Sequence, residues 1–128
     1  MAKAERPLSP HLQIYRWYLT MALSIAHRAS GVALSVGLLF LTWWLLALAG
    51  GEEAFALVEW WKDSVLGVLF LFGMTFVLAY HLGNGVRHLL WDIGCGFEPE
   101  VAKMSGMIVL AFAAGVTVLT WIAIAIIG

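Results

Sequence analysis

The chain of 128 residues is 62% hydrophobic and only 12% charged, and its formal net charge is −1. A soluble domain of this size leaves much of its surface in water and cannot hide so much apolar side chain. The near-zero net charge argues against a nucleic-acid partner and a polybasic membrane anchor. The single cysteine, Cys95, excludes an internal disulfide and a thiolate cluster. Composition therefore predicts an integral membrane protein.

The N-terminal segment, "MAKAERPLSPHLQIYRWY", is polar to amphipathic and lacks the early apolar core of a cleavable signal. Pro7 and Pro10 argue against an early helix. Arg16, Trp17 and Tyr18 suit either an interfacial segment or a contact surface for a soluble partner, and the sequence does not separate these two interpretations.

Three windows lack Asp, Glu, Lys and Arg and are long enough to cross a bilayer, which takes about 20 helical residues. They cover residues 29–51, 64–86 and 104–128. Helix is the expected structure, because an isolated strand would leave its backbone groups unpaired in lipid. The sequence thus predicts one all-α membrane domain over residues 1–128.

The two connections differ in character. "GGEEAFALVEWWKD" is acidic, and its Trp60 and Trp61 suit a membrane–water boundary. "WDIGCGFEPEVAK" contains glycines and Pro99, which are expected to end the preceding helix.

Basic residues predict the orientation. Lys3, Arg6, Arg16 and Arg28 precede the first span, Arg87 and Lys103 flank the second connection, and only Lys62 lies on the other side. The positive-inside rule then places the N-terminus in the cytoplasm and the C-terminus outside. Consequently the start of the first span and the end of the second should lie at the same depth.

The second span ends in "AYHLGNGVRHLLWD", which is unusually polar. His81, Asn84, Gly85 and His88 share one helical face. Arg87, His88 and Asp92 fit a helix end that reaches the headgroups equally well. His81 lies further inside, where ionisable residues usually serve a site in the protein interior.

His81 is better suited to bind a haem iron than to bind zinc. Zinc needs several converging ligands, and His88 is two turns away, about 10.5 Å along the axis. Imidazole is a common iron ligand, and Gly85 makes room for a flat macrocycle. Arg28, Arg87, His27 and His88 lie toward the surface where propionates would sit. A six-coordinate iron would need its second ligand from a partner chain, whereas a five-coordinate iron would not.

The first span begins with a second polar group, in "SIAHRASG". Ser24, His27, Arg28 and Gly31 share a face. Ser24 and Arg28 could hold the oxygens of a quinone, since Arg offers directional donors. Arg28 could equally well extend to lipid headgroups.

These stretches together resemble a known family. "RPLSPHLQIY", "SIAHRASG" and "H-x3-G-V-R-H-L-x-W-D-x-G" follow each other as in the cytochrome b membrane-anchor subunits of succinate dehydrogenase, respiratory complex II. The length of the chain and its three predicted spans also agree with that family. The opening resembles the alphaproteobacterial and mitochondrial branch, and the lack of a long targeting extension favours a bacterial inner membrane.

The resemblance implies specific roles. His81 corresponds to the axial ligand of haem b, with the opposite ligand supplied by a second membrane-anchor subunit. Ser24, Ile25 and Arg28 correspond to ubiquinone contacts, and His27, Arg28 and His88 to positions near the haem propionates. The quinone site would be shared with the iron–sulfur subunit and the second anchor, and electrons would arrive from a flavoprotein subunit that oxidises succinate.

Two alternatives stay open at the level of sequence. One is a fumarate reductase anchor that works with menaquinol, because motif letters do not fix the direction of electron flow. The other is a haem-free helix trio that only docks a peripheral complex.

Overall fold

A computed structural model describes residue 7 and residues 10–127. Within these residues the chain forms four α-helices and no strand: α1 Leu19–Ala49, α2 Glu52–Asp63, α3 Val65–Asp92 and α4 Pro99–Ile127. A short 3-10 helix, His11–Ile14, precedes them. The predicted all-α class is confirmed. Lys3 and Arg6, used for the orientation, and Gly128, the end of the third predicted span, lie outside the described residues.

Three of the helices, α1, α3 and α4, are long and apolar enough to cross a membrane. Each extends beyond its charge-free window. The first begins at Leu19 rather than near residue 29, and the second continues to Asp92 rather than ending near residue 86. A window without charged residues underestimates a helix whose ends carry histidine and arginine. His27 therefore lies well inside α1 and not at its boundary.

The acidic connection between the first two spans is itself the helix α2. Gly51 precedes it with a φ of 91°, a left-handed conformation that favours glycine. Glu52 and Glu53 occupy the first turn of α2 and Lys62 the last, which complements the helix dipole. Ser64 then caps α3, because its hydroxyl accepts a hydrogen bond of 3.0 Å from the Gly67 amide.

The second connection departs from the sequence prediction at Pro99. The glycines do end α3, since the chain leaves that helix through Gly94 with a φ of 85°. Pro99, however, is the first residue of α4. Proline is suited to this position, because the first turn of a helix leaves its amide groups unbonded in any case.

Helix α3 is central and packs against both α1 and α4. The core lies where these helices meet, and its buried members are Leu23, Ala79, Tyr80, Val109 and Ala113. The Tyr80 hydroxyl donates a 2.6 Å hydrogen bond to the Leu23 carbonyl, which links α3 to α1. Outside this small core the long helices expose large side chains, such as Leu39 (69%) and Leu119 (68%). Such surfaces must be covered by lipid or by partner subunits. The chain is therefore a multi-pass membrane protein.

Candidate functional site

Three imidazole rings meet between α1 and α3. The His27 ring stacks on His81 with centroids 4.2 Å apart, and on His88 with centroids 4.8 Å apart. The predicted proximity of the start of the first span and the end of the second is therefore confirmed. The planes are within 21° and 18° of parallel. Because ring nitrogens bind metals in the plane of the ring, stacked rings do not converge on one ion.

The His81 ring is held by a serine from the other helix. The Ser30 hydroxyl lies 2.8 Å from His81 Nδ1 and also donates a 2.6 Å hydrogen bond to the His27 carbonyl. Ser30 is only 6% exposed. Among the described residues nothing bonds the other ring nitrogen of His81, Nε2, so this atom is available to a ligand.

Two glycines let the helices approach each other at the stacked rings. A Cβ on Gly31 would lie 3.4 Å from His81 Cε1, and a Cβ on Gly85 would lie 3.9 Å from His27 Cε1. Gly85 thus keeps side-chain bulk away from the ring stack. The structure adds that the His27 ring faces it.

His27 and His88 differ in their bonding. His88 Nδ1 lies 2.8 Å from the Asn84 carbonyl, which can only accept, so this nitrogen carries the proton. His27 Nδ1 is buried and has no hydrogen-bond partner within the described part of the chain. A buried polar atom of this kind is costly unless something else satisfies it.

Arg87 does not reach toward the headgroups, so the structure decides against that one of the two interpretations left open for this residue. Its side chain is 3% exposed and lies between α3 and α4. The guanidinium donates to Ser105 Oγ (3.0 Å), Asn84 Oδ1 (3.2 Å) and the Ala102 carbonyl (2.8 Å). It also lies 4.0 Å from the centre of the Trp91 ring. Arg87 joins two helices, because α4 offers it acceptors that a surface position lacks.

The predicted quinone contacts flank His27 on α1, with Ser24 and Ile25 before it and Arg28 directly after it. Ser24 is half-buried, whereas Arg28 and Ile25 are exposed, Ile25 by 49%. Neither the Ser24 hydroxyl nor the Arg28 guanidinium bonds to another described residue. Their donors are therefore available to a ligand, a lipid headgroup or a partner.

Sequence reasoning found the three histidines of the stack but missed Ser30. A serine two residues after Arg28 looks like any small residue on a helix, and only its contact with a residue 51 positions away gives it a role. The one signal available was its position beside Gly31, because small residues let membrane helices approach each other closely.

Known proteins share this sequence over nearly its full length. The family described as "Succinate dehydrogenase/Fumarate reductase transmembrane subunit" matches residues 2–120. The cytochrome b556 subunit of succinate dehydrogenase from Paracoccus denitrificans is 43% identical over 94% of this chain and 92% of its own. The corresponding Rickettsia conorii subunit is 36% identical over 92% of each chain.

A mitochondrial relative extends the comparison beyond bacteria. The cytochrome b560 subunit of Sus scrofa is 44% identical over 84% of this chain, which spans 64% of that relative's length. The family match covers α1, α3 and most of α4. The chain belongs to the transmembrane subunits of succinate dehydrogenase and fumarate reductase.

Proposed function

We propose that this chain anchors a succinate:quinone oxidoreductase in the membrane, where it holds half of a haem b site and part of the ubiquinone-reduction site. The observation that carries the proposal is the His81 ring, whose Nδ1 is engaged by Ser30 while Nε2 is available. The names of the relatives, cytochrome b556 and b560 subunits, support a haem as the ligand.

The residues around His81 suit an iron-bearing macrocycle. A haem b bound here would supply one-electron redox chemistry. His81 would bind the iron through Nε2, and Gly85 at the adjacent turn adds no side-chain bulk beside the His27 ring. His27, with its unsatisfied buried Nδ1, and Arg28 offer polar groups to the propionates. His88 donates through Nδ1 to Asn84, so it would bind a carboxylate through Nε2 as the imidazolium.

The second axial ligand is proposed to come from a second membrane-anchor subunit. Among the described residues, the two other histidines near His81 are His27 and His88, and their rings are stacked face to face. Neither of them lies across an open site from His81, where a second ligand would have to be. Exposed apolar faces on α1, α3 and α4 provide surface for such a subunit as well as for lipid. The iron–sulfur and flavoprotein subunits complete the proposed complex on the cytoplasmic side.

The quinone site is proposed on the exposed face of α1. Ser24 and Arg28 are four residues apart and so share a face, and both have free donors. They would orient the quinone and stabilise charge on its reduced oxygen, and Ile25 would contact its apolar part. A bacterial cytoplasmic membrane with the N-terminus inside is proposed from the similarity to bacterial subunits and from the basic residues that precede the first span.

The test is the visible spectrum of the purified complex with His81→Ala. The reduced haem b band should disappear, while the complex still contains all of its subunits. Leu82→Ala on the same helix changes an exposed side chain (59%) next to His81, is the control and should retain the band. His81→Met offers a thioether ligand and should retain haem with a more positive potential. A haem b band of normal size in His81→Ala would refute the assignment.

A further inference from the structure

The Ser30 hydroxyl connects two elements of the histidine stack. It lies 2.6 Å from the His27 carbonyl on its own helix and 2.8 Å from His81 Nδ1 on α3. Ser30 is nearly fully buried, at 6% exposure. It is thus the described residue that joins the backbone of α1 to the ring of the proposed iron ligand.

Counting protons fixes the direction of both hydrogen bonds. A carbonyl oxygen can only accept, so the single hydroxyl proton of Ser30 must lie on the bond to His27. The Ser30 oxygen then accepts from His81, and the Nδ1 atom of His81 carries a proton. In a neutral imidazole this leaves the lone pair on Nε2.

The surroundings also fix the orientation of the ring. One face of His81 is covered by His27, with centroids 4.2 Å apart. Gly31 brings the α1 backbone close to the ring, because a Cβ added at this position would lie 3.4 Å from His81 Cε1. Rotation of the ring about χ2 would break the Ser30 bond and point Nδ1 elsewhere. A ligand whose tautomer and plane are set before metal binding holds its metal more tightly.

We infer that Ser30 is a positioning residue for His81, which it holds in the Nδ1–H tautomer so that Nε2 is presented to haem iron. This inference rests on the proposed function of His81. Donation from Nδ1 to Ser30 also raises the electron density on the imidazole and favours oxidised iron. Loss of the bond should therefore weaken haem binding and make the haem midpoint potential more positive.

The experiment uses the full complex with Ser30→Ala, Ser30→Thr and Ser35→Ala. The Ser35 hydroxyl bonds only the Gly31 carbonyl of its own helix, at 3.0 Å, and is the matched control. Thr keeps the hydroxyl, which can still bond the preceding turn of the helix. The readouts are haem retained per complex in a haem-competition titration and the midpoint potential from redox titration of the haem band.

Ser30→Ala should lower haem affinity by about 10-fold or more and shift the potential upward, whereas Ser30→Thr and Ser35→Ala should match the wild type. If Ser30→Ala is not recovered as a complex, Ser30→Cys keeps the volume with only a weak acceptor and should shift the potential in the same direction. Wild-type affinity and potential in Ser30→Ala, or in its Cys substitute, would overturn the inference.

His81→Ala separates this inference from the proposed function. If that variant loses haem while Ser30→Ala behaves as wild type, only the positioning role fails. If His81→Ala keeps its haem, the ligand assignment itself fails. An equal defect in Ser30→Thr and Ser30→Ala would show that packing, rather than the hydroxyl, matters at this position.

Discussion

Arg87 is expected to connect α3 to α4, and removing its side chain should loosen the start of α4. The change is Arg87→Ala. In the structure the buried guanidinium donates to Ser105 and to the Ala102 carbonyl, both on α4, and to Asn84 on α3. Asn84 is completely buried, and Arg87 is the only described partner of its side chain. The variant would leave that amide without any bond.

The magnitude follows from the two bonds that cross between the helices. Hydrogen bonds to charged groups contribute about 1.5–3 kcal/mol each. Burying the guanidinium costs several kcal/mol in return, so we take the lower end, about 3 kcal/mol for the pair. At about 1.4 kcal/mol per factor of ten, the local opening equilibrium should rise roughly 100-fold.

Amide hydrogen exchange on the intact complex, measured by mass spectrometry over residues 99–106, reports this local opening. The control is Lys103→Ala, which removes an exposed cation from the same turn of α4 without removing a described contact. Exchange in Lys103→Ala should match the wild type. If Arg87→Ala also exchanged within about threefold of the wild type, the buried hydrogen bonds of the guanidinium would not hold the two helices together, and the expected stabilisation would be refuted.

Two further predictions concern the quinone contacts and the helix packing. Arg28→Ala should lower succinate–ubiquinone reduction by about 100-fold and leave succinate oxidation by an artificial acceptor unchanged; equal loss of both activities would contradict a quinone-specific role. Gly106→Ala should lower the free energy of unfolding of the complex by about 1–3 kcal/mol, because its Cβ would collide with the buried Leu23 side chain. Gly115→Ala, where nothing lies within 4 Å of the added atom, is the control and should melt as the wild type does.

The three long helices could be located from the amino-acid sequence alone. Helix formation in lipid is a local requirement, since each backbone group must be satisfied within its own segment. Long charge-free runs therefore suffice to locate the spans. They do not give the helix ends, because the helices continue beyond the runs through residues such as His27 and Arg87. The same logic singled out His81, because a polar residue in an apolar run is visible without knowledge of its neighbours.

Which faces of the helices meet became clear only from their packing in three dimensions. Lipid is as apolar as leucine, so composition does not fix how a membrane helix is rotated about its axis. Nothing in the sequence pairs Ser30 with His81 across 51 positions, or places Arg87 against Ser105 instead of the headgroups. Helix packing brings each of these polar groups to a specific partner, and it leaves Nε2 of His81 without a bond to any described residue.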